Sequence, residues 1–464
     1  MSEIFRQLPS VDQILAHPPV ALLLERYRRE SVVAEVRCAL DRLRVNLVES
    51  GEVFERQELL AQINREVLAV CSAWQAPSLR RVINATGVVL HTGLGRAPLA
   101  SVAQAALAQS AAYTNLEFDL PSGRRGERVL HVEELVCAAC GADAVAVVNN
   151  NAAAVLIALN TLASGRQVLV SRGQMVEIGG SFRIPDVIAA SGAELREVGT
   201  TNRTHLRDYE AALSERTGAI LVVHPSNYRV RGFTAEVELE KLSALARHAN
   251  VPLVYDLGGG VLCDLAQWAL PPEPVVKDEL EKGADLVTFS GDKVLGGPQA
   301  GLVAGARGYV EAIRKNPLMR ALRCDKLVYA ALEATLSLYR LTPELLRQEL
   351  PVLRMLCAPL VELEARAGHL VEAIRAECGA RIEVEIVESL SQAGSGALPL
   401  EDMPSRAVVL MPNKGGVEAL ARSLRTGDIA VVGRIEHERL FLDMRTIATE
   451  DVQDVAVALR VALA

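Results

Sequence analysis

The chain has 464 residues, half of them hydrophobic, which is too long for one ordinary core and predicts two or three domains. Its formal net charge of −8 excludes a globally basic nucleic-acid binder, so any nucleic-acid contact must be local. No apolar run approaches the roughly 18–20 residues that a membrane span needs, and the start lacks a signal pattern. We therefore expect a cytoplasmic protein without a membrane partner.

The first predicted elements are helices over residues 1–75, because apolar residues recur at i, i+3 and i+4 steps, with a break at Pro18-Pro19. The span from Arg26 to Arg44 carries six arginines. On an amphipathic helix these form either a phosphate-binding face or an ordinary solvated face, and both interpretations stay open. The stretch WQAPSLR at 74–80 is typical of a linker.

From about residue 81 onward, short β-rich runs alternate with amphipathic helical stretches. Regular βα alternation predicts an α/β domain with a mostly parallel sheet and helices on both faces. Ligands in such sheets bind at the carboxyl ends of the strands. The predicted strands are residues 143–149, 166–172, 193–199, 219–225, 252–258, 284–290 and 300–305.

Beyond Lys326 the pattern changes again, to a long helical stretch and then a smaller mixed region. The predicted strands of that region are 381–388, 406–412 and 439–445. The sequence thus predicts a helical domain at 1–75, a large α/β domain at 76–325 and a small α+β domain at 326–464.

Two cysteines, Cys137 and Cys140, form a CxxC within a helical stretch. A redox or zinc role needs this spacing, but no second CxxC or histidine pair completes a metal site. We therefore favour small core residues and predict no bound metal.

Asparagines follow the strand predicted at 143–149 and lead into an Ala-rich helix. Asn149, Asn150 and Asn151 lie where free backbone N–H groups and the helix dipole attract a phosphate. An ordinary asparagine N-cap is the alternative, although capping needs only one such residue.

An acidic and a basic side chain follow two further strands. Asp256 lies at the end of an apolar strand before three glycines, where a carboxylate is poorly solvated unless a cation or donor accompanies it. Lys293 lies three residues after Ser290 and before a glycine-rich turn, and a lysine with a depressed pKa in such a cleft can form a Schiff base. A turn aspartate and a surface lysine are the alternatives.

One molecule needs all three features, and it is pyridoxal 5′-phosphate. Its phosphate needs a helix N-terminus, its ring nitrogen needs an aspartate, and its aldehyde needs a lysine. The order of these features, with Asp256 37 positions before Lys293, resembles fold-type-I pyridoxal-phosphate enzymes. The stretches INATGVVLHTGLGRAPL, VNNNAAAVL, FSGDKVLGGPQAG and ALRCDKLVYAALEATL resemble the bacterial selenocysteine synthase family, the L-seryl-tRNA(Sec) selenium transferases. The resemblance spans essentially the whole chain.

The resemblance implies a function: conversion of serine esterified to tRNA(Sec) into selenocysteine, through elimination of the hydroxyl to an aminoacrylate and addition of selenium from selenophosphate. It implies that Lys293 attaches the cofactor and acts as general base, and that Asp256 binds the ring nitrogen. It assigns the cofactor phosphate to Asn150, Asn151 and Ser290.

The resemblance also implies how the anionic selenium donor is bound. It places Arg96, Arg320 and Arg323 in the active site, where a guanidinium fork suits a phosphate-like group. Asp292, next to Lys293, would orient these arginines or carry a proton. Arg445 is either structural or contacts the tRNA acceptor end, because the substrate has no free carboxylate to bind.

Other implications concern partners. The resemblance makes residues 1–75 a tRNA(Sec)-binding domain and predicts a homodecamer, a pentamer of dimers. Gly93 stands where the family commonly has asparagine, a change that a turn tolerates.

Two alternatives remain open at this point. One is a pyridoxal-phosphate lyase acting on a free amino acid or an amino sugar acid, which would have no reason to keep the helical N-terminal domain. The other is a non-catalytic tRNA-binding scaffold, which predicts decay of a lysine site that is in fact intact.

Overall fold

The computed structural model describes residues 7–50, 54–74, 77–175, 177–178, 182–225, 228, 230, 232–396 and 402–464. The chain divides into two compact units, Met1–Arg81 and Val82–Ala464. The predicted boundary at residues 75 and 76 lies outside the described residues. No described helix combines the length and apolar character needed to cross a bilayer.

The first unit is helical, as predicted. Ser10 caps its first helix, where its hydroxyl accepts from the Gln13 backbone N–H and the Gln13 side chain accepts from the Ser10 N–H. Apolar side chains such as Ile14, Val36 and Ile63 form the core. The helices are α1 (Val11–Leu15), α2 (Pro18–Arg26), α3 (Arg29–Ser50) and α4 (Arg56–Ala73).

Among its described residues, the second unit contains strands at all ten predicted positions and seven further strands of two or three residues each. They are β1 (Val82–Asn84), β2 (Phe118–Asp119), β3 (Arg124–Arg125), β4 (Ala144–Val148), β5 (Gln167–Ser171), β6 (Glu177–Ile178), β7 (Phe182–Arg183), β8 (Glu194–Val198), β9 (Thr217–Val223), β10 (Leu253–Gly258), β11 (Leu286–Ser290), β12 (Gly301–Gly305), β13 (Ile382–Gln392), β14 (Asp402–Pro412), β15 (Ala430–Val432), β16 (Arg434–Glu436) and β17 (Arg439–Asp443).

Helices connect and cover these strands. They are α5 (Ser101–Ser110), α6 (Leu130–Cys140), α7 (Asn151–Ala163), α8 (Ile184–Ala190), α9 (Leu206–Ala212), α10 (Leu239–Ala249), α11 (Val276–Glu281), α12 (Arg307–Lys315), α13 (Leu318–Leu322), α14 (Lys326–Leu338), α15 (Pro343–Glu349), α16 (Pro351–Leu356), α17 (Leu360–Cys378), α18 (Val417–Thr426) and α19 (Val452–Ala462).

The central sheet runs in the order β4-β12-β11-β10-β9-β5-β8. β12 is antiparallel to its neighbours β4 and β11, whereas the pairs β11–β10, β10–β9, β9–β5 and β5–β8 are parallel. This confirms the predicted mostly parallel sheet. The carboxyl ends of β9, β10 and β11 therefore meet at one edge, where a ligand is expected.

Alternation along the strands divides the core between the two faces of this sheet. On β10, Leu253 and Tyr255 pack in one cluster, and Val254 packs in the other cluster, together with α7. Asp256 follows in the same alternation as Val254. Its side chain therefore lies on the face that α7 covers.

The C-terminal region forms an antiparallel sheet in the order β13-β14-β17-β16, packed against α17 and α19. β1 pairs in parallel with β15. The segment that begins at Val82 therefore packs with the C-terminal region before the chain enters the central sheet.

Candidate active site

Asp256 lies near the end of β10 and is bonded by two neighbouring elements. The Asn151 amide, in the first turn of α7, donates from Nδ2 to Asp256 Oδ1 over 2.7 Å. The Thr288 hydroxyl on β11 donates to the same oxygen over 3.0 Å. No donor among the described residues bonds Oδ2.

Burial governs the electrostatics of this carboxyl. Asp256 is only 4% exposed, and desolvation raises its pKa above the ordinary value. The hydrogen bonds from Asn151 and Thr288, and the charge of Lys293, act in the opposite direction. A cationic ligand group beside Oδ2 would stabilise the ionised form further.

Lys293 follows β11 and is also buried, at 7% exposure. Desolvation lowers the pKa of its amine, the charge of Arg96 lowers it further, and Asp256 and Asp292 oppose these effects. A Cβ added to Gly258 would lie 3.7 Å from Lys293 Nζ, which places the amine at the end of β10. Lys293 is therefore a buried amine with a lowered pKa rather than a surface lysine.

Two glycines allow this close packing. Gly260 has φ +71°, and a Cβ there would lie 2.2 Å from the Ser290 carbonyl oxygen. A Cβ on Gly301 would lie 2.0 Å from the carbonyl oxygen of Asn150. Gly260, in the GGG turn after β10, can therefore lie against the end of β11, just before Lys293. Gly301, at the start of β12, can lie against the N-terminus of α7.

Asp292 connects this centre to Arg96. The Arg96 guanidinium donates from Nη1 to Asp292 Oδ2 over 2.7 Å, and the Ala97 N–H donates to the Asp292 carbonyl. Arg96 itself has φ +65°, the left-handed region. The sequence-predicted residues Arg96, Asp292, Lys293 and Asp256 are thus in one neighbourhood.

The predicted phosphate residues occupy the right element, but their side chains have other partners. Asn150 caps α7, since its Oδ1 accepts from the Ala153 N–H over 2.9 Å. Asn151 bonds Asp256, and its own Oδ1 is buried without a partner among the described residues. Ser290 is buried at the end of β11. Phosphate binding by these three residues stays a prediction.

Thr288 was not identified from sequence, because it lies inside the apolar run ADLVTFS. The sequence feature that could have identified Thr288 is a hydroxyl in an otherwise apolar strand. In the structure, Thr288 is 0% exposed. Only the register, in which Thr288 pairs with Asp256, shows what the hydroxyl contacts.

Arg320 and Arg323 line a separate cavity of about 830 Å³, and Lys293 is not among its described lining residues. Arg323 Nη1 lies 3.5 Å from Glu117 Oε1. Hydrogen bonds from Arg128 and Arg125 lower the pKa of Glu117 to about 2. The other cationic lining residues are Arg125, Arg128, Arg314 and Lys315.

Arg445 is buried, and its guanidinium donates to the backbone carbonyls of Met355, Leu356 and Pro404. These contacts favour the structural interpretation of this residue.

The CxxC cysteines lie on α6, where burial raises the pKa of Cys140 to about 11. The described residues contain no group of three potential metal ligands. These observations favour the interpretation of Cys137 and Cys140 as core residues.

Comparisons with known proteins agree on one family. The family model described as L-seryl-tRNA selenium transferase matches residues 82–448, and that described as selenocysteine synthase N terminal matches residues 5–44. The L-seryl-tRNA(Sec) selenium transferase of Methylocella silvestris is 49% identical over 96% of this chain and 95% of its own length. That of Geobacter sulfurreducens is 46% identical over 98% and 99%.

A solved structure is similar in fold. D-glucosaminate-6-phosphate ammonia-lyase matches with a TM-score of 0.56 and 20% identity, over 84% of this chain and 97% of that one. At this identity the similarity supports the fold alone, and it confirms the predicted fold-type-I α/β architecture.

Proposed function

The chain belongs to the L-seryl-tRNA selenium transferase family, and on that premise we propose that its Lys293 site uses pyridoxal 5′-phosphate to exchange the serine hydroxyl for selenium. The chain is an enzyme, and its reaction is the conversion of L-seryl-tRNA(Sec) to L-selenocysteinyl-tRNA(Sec). The selenium donor in the proposal is selenophosphate, whose Se–P bond is hydrolysed so that the phosphoryl group leaves as phosphate.

One observation carries the cofactor assignment: a buried lysine with a lowered pKa beside a buried carboxylate whose Oδ2 has no donor among the described residues. Asp256 Oδ2 fits a protonated ring nitrogen, and Lys293 Nζ fits an aldehyde carbon. The proposal places the phosphate at the α7 N-terminus, beside Asn150, Asn151 and Ser290, although the side chains of Asn150 and Asn151 bond other groups. When bound, the cofactor supplies an electron sink for loss of the α-proton.

The protein residues then have distinct tasks. Lys293 Nζ, whose pKa is lowered by burial and by the charge of Arg96, would take the proton from the seryl Cα. The departing hydroxyl needs a proton, and Lys293, which carries the proton taken from Cα, can supply it, whereas Asp292 is ion-paired with Arg96. Arg96 is held by Asp292, next to the lysine, and it would bind the anionic donor there.

The proposal assigns anion binding to Arg320 and Arg323 as well. The cavity that they line has six cationic side chains against the carboxylates of Glu117, Glu127 and Glu311. An excess of positive charge in a chain of net charge −8 favours an anionic ligand at that place.

The remaining proposals concern organisation. Residues 1–75 would bind tRNA(Sec), 76–325 would bind the cofactor, and 326–464 would form the small α+β domain. The match of residues 5–44 to a selenocysteine synthase N-terminal model supports the first assignment. The proposal includes a homodecamer, a pentamer of dimers, in the cytoplasm.

The decisive experiment loads tRNA(Sec) and tRNA(Ser) with serine, adds selenophosphate, and compares the wild type with Lys293→Ala. We expect turnover of seryl-tRNA(Sec) only, a yellow cofactor absorbance, and a fall of roughly 10²-fold or more in Lys293→Ala. Lys277→Ala, which removes an exposed lysine paired with Glu281, is the control and should match the wild type. Equal use of both tRNAs, or activity on free serine alone, would contradict the proposal.

A further inference from the structure

The sheet register determines which side chains can reach Asp256. Register partners on neighbouring parallel strands point to the same face, and Asp256 pairs with Thr288 on β11 and with Val223 on β9. Val223 is apolar, so Thr288 is the hydroxyl that the sheet presents beside the carboxylate. Asn151 provides the second donor, from the helix that covers this face.

Both donors bond the same oxygen. Asn151 Nδ2 and Thr288 Oγ1 lie 2.7 and 3.0 Å from Asp256 Oδ1, and no described donor bonds Oδ2. The two bonds fix the rotation of the carboxylate, so that Oδ2 keeps one direction. A ligand cation therefore finds the acceptor already oriented.

The same bonds act on the protonation of the carboxyl group. Burial raises the pKa of Asp256, and the hydrogen bonds from Asn151 and Thr288 lower it again. Lys293, in the loop after β11, and His224, after β9, also lower the pKa of Asp256 through their charges. A protonated carboxyl would no longer attract a ring N–H⁺, so loss of either hydrogen bond weakens the cation site.

We infer that Asn151 and Thr288 are positioning residues: they bond Oδ1 of Asp256 and leave its Oδ2 available to the ring nitrogen of the cofactor. The inference rests on the proposed function. It gives Asn151 a task different from the phosphate contact predicted from sequence, and it adds Thr288, which no motif identified. Asn151 Oδ1, which is buried and has no partner in the described part of the chain, remains as an acceptor at the same site.

The test compares Thr288→Val, which removes the hydroxyl at nearly constant volume, with Thr288→Ser, which restores it. Apoprotein is titrated with pyridoxal 5′-phosphate from pH 5 to 9, and the dissociation constant is measured by absorbance. Binding needs ionised Asp256, so affinity falls as the pH is lowered through the pKa of Asp256. In Thr288→Val that pKa is higher, so the fall begins at a higher pH. We expect about tenfold weaker binding in Thr288→Val at neutral pH, and near-wild-type binding in Thr288→Ser.

Thr335→Val is the matched control. Thr335 is also 0% exposed and also donates its hydroxyl, but to the Ala331 carbonyl within α14. A general packing effect lowers the melting temperature of both variants, whereas only Thr288→Val should alter the pH profile of cofactor binding. A wild-type profile in Thr288→Val would overturn the inference. Failure of the wild type to bind the cofactor at all would instead refute the proposed function.

Discussion

Two buried aspartates in the second unit show opposite uses of a carboxylate. Asp256, at the central sheet, has donors on one oxygen, and burial raises its pKa. Asp443, at the end of β17, is 0% exposed and has donors on both oxygens. Those donors are the hydroxyls of Ser389, Ser391 and Ser405, the Arg434 guanidinium and the Arg445 backbone N–H. A saturated carboxylate stabilises structure, whereas one with a free oxygen can bind a ligand.

Asp443 joins the C-terminal sheet to the segment that leads to Arg96. A Cβ on Gly87 would lie 2.8 Å from Asp443 Oδ2, so the glycine, with φ +82°, permits this approach. Arg434 donates to the Thr86 carbonyl, and the Gly87 N–H donates to Thr446 Oγ1. These contacts hold the turn at Gly87, nine residues before the arginine that contacts Asp292.

The largest expected effect is that of Asp443→Asn on stability. The asparagine directs an NH₂ group at donors that need an acceptor, and it leaves Arg434 without its buried counter-charge. We expect a loss of roughly 3–5 kcal/mol in the free energy of unfolding, measured by chemical denaturation. Asp402→Asn, at an exposed aspartate of β14, is the control and should change little. A loss below about 1 kcal/mol for Asp443→Asn would remove the contrast between the two carboxylates.

Asp256→Asn should separate stability from function. A folded-state pKa above the unfolded one means that burying the charge costs stability at neutral pH, and this cost disappears as the pH falls and the carboxyl protonates in both states. The asparagine Oδ1 still accepts from Asn151 and Thr288. We expect apoprotein at least as stable as the wild type at pH 7, with the difference narrowing toward pH 4, and selenium transfer reduced by about 10²-fold or more. Destabilisation equal to that of Asp443→Asn would contradict this assignment.

Much of the site around Asp256 could be predicted from the sequence, but little of the cluster around Asp443 could. Asp256 and Lys293 follow apolar strands, and strand ends are visible in a βα pattern, so their convergence could be predicted. Thr288 and the asymmetry of the bonds to Asp256 depend on register, which the pattern does not contain. Asp443 lies two residues before Arg445 in the stretch FLDMR, and the sequence indicated only Arg445, as a structural residue or a tRNA contact. The serines that saturate Asp443 lie 38 to 54 positions upstream, on β13 and β14, and only antiparallel pairing brings them together.

The smallest expected effect concerns a third carboxylate, Glu117, which is partly exposed and saturated by arginines. Arg128 Nε and Arg125 Nη2 each lie 2.7 Å from a Glu117 oxygen, and Arg323 Nη1 lies 3.5 Å away. Because the Glu117 side chain is 25% exposed, solvent screens these pairs. We expect Glu117→Gln to lower the free energy of unfolding by only about 1 kcal/mol at pH 7.

The pH dependence of this difference in unfolding free energy tests whether the charge of Glu117 stabilises the fold, in contrast to the charge of Asp256. Its folded-state pKa is lowered to about 2, so its stabilisation is complete above the unfolded value of about 4.3 and is lost as the pH falls toward 2. The gap in unfolding free energy between wild type and Glu117→Gln should therefore close over that window. The gap between wild type and Asp256→Asn also closes toward low pH, but with the opposite sign, because there the wild type is the less stable protein. A Glu117→Gln gap that is independent of pH would mean that the carboxylate contributes packing rather than charge to the cavity that Arg323 lines.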